Sequence, residues 1–267
     1  MTRFDVVTLF PEMLDAVTRF GVTGRACERK LAMVVAHQLR DYAHDAYKTI
    51  DDRPYGGGPG MVMMAGPLTE AVAAIKAQQQ AAGYSPGPVI LMSPSGQRIN
   101  QSMIDRLAQA QACWTLICGR YEGVDQRFID QQVDECWSLG DFVLSGGEIA
   151  AMAILDAAIR KLPGALGEPE SAIQESFSPQ GPGGGILDWP HYTRPEVFAG
   201  AAVPDVLLSG HHERIADWRR RAALAATQDL RPDLLMPPSG KPDSSGKSST
   251  SRLPGRAESR SGCSALN

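Results

Sequence analysis

Short β-rich runs alternate with helical patterns across residues 1–166, and this alternation restricts the fold more than any other feature. The runs are "FDVVTLF" (4–10), "AMVVAHQL" (32–39), "PVILM" (88–92), "WTLIC" (114–118) and "VDECWSL" (133–139). Between them, "PLTEAVAAIKAQQQ" (67–80) opens with Pro at the first helical position. "NQSMIDRLAQAQ" (100–111) opens with an Asn cap and repeats apolar residues at three- and four-residue steps. Strands joined by helical crossovers build a mostly parallel sheet covered by helices. The expected fold class is therefore α/β. A hydrophobic content of 43% over 267 residues supplies a core for one large domain or two smaller ones.

The pattern changes beyond residue 166. Residues 167–187 read as a flexible linker or lid. Residues 188–236 read as a small helical domain, with helices at "RPEVFAG" (194–200) and "HHERIADWRRRAALAAT" (211–227). Residues 237–267 are rich in Ser, Pro, Gly and charge, lack apolar periodicity and read as a disordered tail. Its "GKSS" lacks the glycine and preceding strand of a phosphate-binding loop.

Several classes are disfavoured. The longest apolar stretch, "IAAMAIL" (149–155), is far short of the ~20 residues that span a bilayer. Asp5 and Pro11 interrupt an N-terminal run already too short for a signal peptide, so the expected location is the cytoplasm. Five cysteines without a CxxC pair read as reduced, mostly buried thiols, and the histidines are not spaced as metal ligands. The net charge of −4 argues against indiscriminate coating of nucleic acid. A polyanion would have to be gripped locally, for example at "DWRRRAALAATQDLR" (217–231).

Three of the runs lead into glycine-containing loops: "PVILM" into "SPSG", "WTLIC" into "GRYEG" and "VDECWSL" into "GDFVLSGGE". Ligands of open α/β sheets lie beyond the carboxyl ends of the strands. Three such loops at neighbouring strands would form one backbone-lined pocket for a nucleoside-like ligand. Neither the dinucleotide fingerprint nor the P-loop pattern occurs in residues 1–236. A fourth glycine-rich stretch, "DDRPYGGGPGM" (51–61), sets charged residues beside a flexible backbone. It suits close approach to a flat base, whose edge Asp51, Asp52 or Arg53 could read, and equally a tight loop at a subunit contact.

These strings, with "LFPEM" (9–13), "GVTGRA" (21–26), "CGRYEGVDQR" (118–127), "DFVLSGGE" (141–148) and "PHYTRPEV" (190–197), occur in an order that closely resembles the bacterial tRNA (guanine-N1-)-methyltransferases of the SPOUT class, the TrmD family. The resemblance covers residues 4 to about 236. It implies a deep trefoil knot, against the general rule that chains are unknotted. It also implies transfer of methyl from S-adenosyl-L-methionine to N1 of guanine 37 of tRNA, where the preceding base is guanine too. Homodimers with composite active sites and a dependence on Mg²⁺, with no marked site, are implied as well. A SPOUT enzyme acting on another RNA, or an RNA-binding relative weakened in catalysis, are the alternatives.

By position, the resemblance puts the donor pocket at Leu91, Met92, Ser93, Pro94, Gly119, Tyr121, Glu122, Leu139, Gly140, Phe142, Leu144, Gly146 and Gly147. It puts substrate contacts at Asp51, Arg53, Gly60, Asp188 and His191, and catalysis at Arg160 and Glu175. Each has a plainer reading. The apolar pocket members suit an ordinary core, Arg160 suits a cation offsetting a helix dipole, and Glu175 suits a solvated loop acid. The chain departs from the family pattern in three places. Glu175 stands where an aspartate is usual, Ala150 stands where proline is common, and the 178–185 loop is a few residues longer.

Overall fold

Strand β1 (Thr2–Thr8) is buried along its whole length, with Phe4, Val6 and Val7 in the cores and Arg3, Asp5 and Thr8 held in buried hydrogen bonds. In the computed structural model, which describes residues 1–167, 174–179 and 184–236, β1 lies inside a five-stranded sheet. Its neighbours are β2 (Ala32–Gln38) and β6 (Cys113–Cys118), both parallel to it. Beyond β6 come β5 (Val89–Arg98) and β7 (Glu135–Ser138), again parallel, so the order is β2-β1-β6-β5-β7. A short antiparallel hairpin, β3 (Asp51–Asp52) with β4 (Val62–Met63), carries the glycine-rich stretch between its arms.

Helices cover both faces. One core combines Phe4, Val6, Ile90, Met92, Trp114 and Leu116 with the inner faces of α2 (Gly21–Glu28), α4 (Gln101–Leu107) and α6 (Glu148–Ile159). The other joins Val7, Val89, Leu91 and Ile117 to Leu68, Val72 and Ile75 of α3 (Ala65–Ala81) and Phe128 of α5 (Gln126–Gln132). Residues of each strand go alternately to the two cores, as the two-residue period of a strand requires. The mostly parallel α/β expectation therefore holds. Among the described residues no helix is long and apolar enough to cross a membrane. Cys27, Cys113 and Cys118 are free thiols; Cys136 is buried but is not among the free ones.

The expected loop after "PVILM" is partly strand. β5 pairs with Trp137 twice, through Met92 and again through Gln97, so residues 93–96 are extruded between two paired segments. Pro94 has no N–H to donate to a ladder. A Cβ at Gly96 would collide with the backbone of Cys136 and Trp137.

The chain divides into two compact units, with the boundary after Gly167. In the second, the long helix expected at 211–227 occupies His212–Leu230 (α8), preceded by a single turn, α7 (Asp205–Leu208). The helix expected at 194–200 is absent. That segment forms a two-residue hairpin, β8 (Val197–Phe198) with β9 (Ala201–Ala202). Val197 and Phe198 favour strand over helix, and Ala199 (φ 47°) with Gly200 (φ 82°) forms a left-handed turn of the kind that closes such hairpins. The expected disordered tail, 237–267, lies outside the described residues.

The sheet interior holds one dense polar cluster. Asp5, wholly buried, takes a bidentate contact from Arg3 (2.8 and 2.9 Å) and a hydrogen bond from Gln79 Nε2 (2.8 Å). His37 Nε2 lies 2.8 Å from the same carboxylate, and its Nδ1 lies 3.1 Å from the Tyr42 hydroxyl. Burial pushes the Asp5 carboxyl up, but the contacts from His37, Arg3 and Gln79 together outweigh it and hold the group below its ordinary value. Protonation therefore favours unfolding. The contribution is full above the unfolded-state value of about 4 and is lost as pH falls through the lower folded-state value. Asp5→Asn leaves Arg3 buried without its counter-charge. It should cost about 3–5 kcal/mol, read as a fall in the urea midpoint at unchanged m-value. The difference from the parent should shrink on acidification.

Candidate active site

The carboxyl ends of β6, β5 and β7 are adjacent in the sheet, and the loops leaving them enclose a cavity of about 460 Å³. Its wall includes Leu91, Met92, Ser93 and Pro94 from the first loop and Gly119, Tyr121 and Glu122 from the second. Leu139, Phe142, Leu144, Gly146 and Gly147 come from the third. Of the pocket residues expected from the sequence, Gly140 is set back: the Phe142 ring covers it, 2.8 Å from where a Cβ would project. Ala150, one of the departures from the family pattern, also faces the cavity.

Backbone geometry explains why glycine recurs here. Gly147 N donates to Gly119 O (2.8 Å), and Arg120 and Gly146 form an antiparallel bridge, so the second and third loops cross in direct contact. A Cβ on Gly147 would lie 2.7 Å from Cys118 Cα and 2.9 Å from Met92 Cβ. Tyr121 is held at φ 61° and Gly123 at φ 133°, which turns the second loop sharply under the cavity mouth. Tyr121 and Phe142 remain exposed, each offering an aromatic face to the opening.

Sequence reasoning missed the pair beneath this crossing. Glu148 is wholly buried at the start of α6. Both its oxygens accept from Arg120 Nε (3.1 Å each), and Oε1 also accepts from the Thr8 hydroxyl (2.9 Å). Arg120 Nη1 reaches Ser145 O (3.3 Å), and the guanidinium lies 4.3 Å from the Phe10 ring. A signal was available: Glu148 opens an apolar helix that carries no further charge before Asp156. A Cβ on Gly146 would lie 2.6 Å from both Arg120 Nε and Glu148 Oε2, so this glycine makes room for the ion pair. Burial, with Glu148 nearby, pushes the Cys118 thiol well above its ordinary value, which leaves it inert as a nucleophile.

The glycine-rich stretch 51–61 joins this site through its descending arm. Glu122 N donates to Met61 O (3.0 Å), Met63 N to Gly123 O (2.9 Å) and Asp125 N to Met63 O (3.0 Å). Gly60, at φ 82°, packs against the Glu122 side chain, which a Cβ would overlap. At the tip, Gly56, Gly57 and Gly58 all have positive φ with open space where a Cβ would be, so there the need is conformational. Asp51 is half-buried in β3 and Arg53 is exposed. Arg160 is half-buried and caps the last turn of α6.

The remaining expected residues belong to the second unit. There Glu175 O accepts from Ser178 N (3.2 Å), Phe177 N donates to Ile186 O (2.9 Å) and Gly185 N to Ser178 O (2.9 Å). Asp188 holds His191 Nε2 at 2.9 Å through Oδ2 and accepts from Trp189 N (2.8 Å) through Oδ1. Of the three adjacent arginines, Arg220 and Arg221 both pair with Asp217, while Arg219 stacks over Trp189 at 4.7 Å. The basic patch seen in the sequence is thus partly neutralised within its own helix.

The family model for tRNA (Guanine-1)-methyltransferase TrmD matches residues 2–237. The chain belongs to this TrmD family. A tRNA (guanine-N(1)-)-methyltransferase of Polynucleobacter asymbioticus is 58% identical over 233 residues, covering 87% of this chain and 92% of the relative. Those of Bordetella pertussis (56%, covering 87% and 90%) and Nitrosospira multiformis (52%, covering 87% and 88%) are similar over the same extent. The family is of the SPOUT class, consistent with the mixed α/β unit described above.

Two glycine-to-alanine changes, one in this TrmD-family site and one outside it, test the steric account. Gly147→Ala forces a methyl into closed backbone and should cost about 1–3 kcal/mol of stability. Gly66→Ala, in the first turn of α3, meets open space at its Cβ but precedes Pro67, which disfavours helical backbone for a residue with a Cβ; it should shift stability by less than about 0.5 kcal/mol. Denaturant midpoints at constant m-value measure both. Equal shifts would refute the steric account.

Proposed function

We propose that this chain is an S-adenosyl-L-methionine-dependent methyltransferase acting on N1 of guanine 37 of tRNA, where guanine also precedes it, in the cytoplasm. The observation that carries the reading is the backbone-lined cavity at the crossing of the 119–124 and 139–148 loops in a chain of the TrmD family. The names of its relatives supply the reaction.

The cavity suits the donor. Its volume lies in the usual range for a small-molecule site, and crowded glycines keep side chains out of it. When bound, S-adenosylmethionine supplies an electrophilic methyl on a sulfonium, whose positive charge is lost during transfer. The protein must therefore offer shape and orientation more than counter-charge, which a wall of glycine backbone, apolar side chains and a few polar groups such as Ser93 and Glu122 supplies. Guanine N1 carries a proton at neutral pH, so a base has to accept it. In this reading Glu175 takes that proton, and Arg160 steadies the negative charge growing on O6. Asp51, Arg53 and Gly60 present the 51–61 loop to the base, with Asp188 and His191 as further substrate contacts in the second unit. Residues 188–236 serve as the tRNA-binding domain and 167–187 as the connecting lid.

Three further parts belong to the reading. The direct contact of the loops leaving β6 and β7, strands separated in the sheet by β5, is consistent with the trefoil knot of the class. Exposed Phe10, Phe20 and Ile149 leave apolar surface on the first unit for a second copy of the chain, which fits a homodimer. Mg²⁺ dependence is carried from the family. Among the described residues no cluster of three His, Cys, Asp or Glu marks a site, and no step above is assigned to the ion.

Methyl transfer to tRNA transcripts with and without guanine at position 37 tests the reaction. Transfer only to the guanine-bearing transcript is expected. Transfer to neither, with the donor bound, would instead favour the catalytically weakened relative. Glu175→Gln should lower the single-turnover rate by about 10²–10⁴-fold with donor affinity unchanged. A parental rate, with methyl transfer shown to be limiting, would remove Glu175 from the role. Mixing Arg160→Ala and Glu175→Ala subunits should recover activity if the two residues of one site come from different copies. No recovery by verified heterodimers would count against composite sites.

A further inference from the structure

We propose that Arg120, Glu148 and Thr8 form a positioning brace that fixes the donor pocket: Arg120 lines the cavity, and Glu148 and Thr8 act on it from outside the wall. The inference rests on the methyl-donor reading above.

A pocket walled by backbone cannot be adjusted one side chain at a time, since its shape is the relative position of its loops. Misplacement by about 1 Å can cost about 10²-fold in rate. Something must therefore hold the 119–124 loop against the 144–148 segment. Arg120 does this from one side: its Nε lies 3.1 Å from each Glu148 oxygen and its Nη1 3.3 Å from Ser145 O. Glu148 does it from the other, because its buried carboxylate also takes the Thr8 hydroxyl at the end of β1. Thr8 Oγ1 in turn accepts from Phe10 N (2.9 Å), and the Phe10 ring lies against the Arg120 guanidinium. The ends of β1 and β6 and the start of α6 thus meet at one carboxylate.

The chemistry explains these residue types. Arg makes the contact with a planar fork that can grip a carboxylate and a carbonyl together, which a lysine ammonium cannot do in the same geometry. Glu148 sits in the first turn of α6, where the helix dipole favours an anion. The pair is neutral as a whole, so it places loops without adding net charge beside a cationic donor. Gly146 is required because a Cβ would press on both members.

The test uses the full-length protein with S-adenosylhomocysteine as binding probe and tRNA transcript as acceptor, well below each variant's unfolding temperature. Arg120→Lys keeps the charge but not the fork. It should weaken S-adenosylhomocysteine binding about 10–100-fold and raise KM for S-adenosylmethionine, leaving KM for tRNA near the parent value. Thr8→Val keeps shape and removes the hydroxyl, so it guards against a misfolded arginine variant; about 3–10-fold weaker binding is expected, within the net worth of one typical intramolecular hydrogen bond. A merely structural role would lower the melting temperature and leave donor affinity in the folded fraction unchanged. Parental affinity in both folded variants overturns the brace. Failure of the parent itself to bind the probe overturns the methyl-donor reading, and the brace with it.

Discussion

The loops that leave β6 and β7, strands separated in the sheet by β5, meet backbone to backbone, and the rest of the site depends on that contact. Gly147 lies against Cys118 and Gly119 more tightly than any other residue type allows. This closeness brings Gly119, Tyr121, Gly146 and Gly147 into one wall. It also places Glu148 under the first turn of α6, within reach of Arg120. A wider crossing would open the cavity to solvent and part the ion pair. Steric closeness and electrostatics are therefore one requirement here, since the glycines admit the approach and the buried pair holds it.

β1 carries both buried polar networks of the first unit, Asp5 at mid-strand and Thr8 at the end. Buried ion pairs add little net stability compared with a well-packed apolar alternative, although losing one partner is costly. Their value lies in specifying arrangement. The Asp5 cluster ties β1 to β2 through His37 and to α3 through Gln79, which sets the sheet against the helix above it. The Glu148 cluster ties the same strand to the functional loops. Alignment of the catalytic edge thus begins in the most buried strand of the protein.

Much of this was legible in the sequence, for identifiable reasons. The sheet strands stood out because short β-rich runs alternate with helical patterns along residues 1–166. The pocket stood out because glycines gathered at three strand ends. The extruded turn at 93–96 was harder to read, since strand pairing resumes after it and nothing local announces a second use of Trp137. The 194–200 segment misled because "RPEVF" resembles a helix start, whereas the left-handed pair Ala199 and Gly200 decides it as a hairpin. The Arg120–Glu148–Thr8 contact spans 140 positions, and no periodicity links residues so far apart. The arginine patch was visible, but its partial neutralisation by Asp217 depends on helical spacing read together with side-chain direction.

In the reading proposed above, the second unit bears on Glu175, which stands where the family resemblance implies an aspartate. The described part of its loop is pinned: Phe177 and Ser178 pair with Ile186 and Gly185, Ser176 Oγ accepts from Asp188 N, and Leu187 N donates to Thr227 of α8. The backbone beneath Glu175 is thereby referred to the long helix. The extra methylene must then be taken up by the side chain's own torsions more than by loop displacement. Asp188 is committed to the Trp189 amide and to His191, so protonating it would disturb two contacts that hold this segment. In the methyltransferase reading proposed above, Asp188 therefore serves to orient His191.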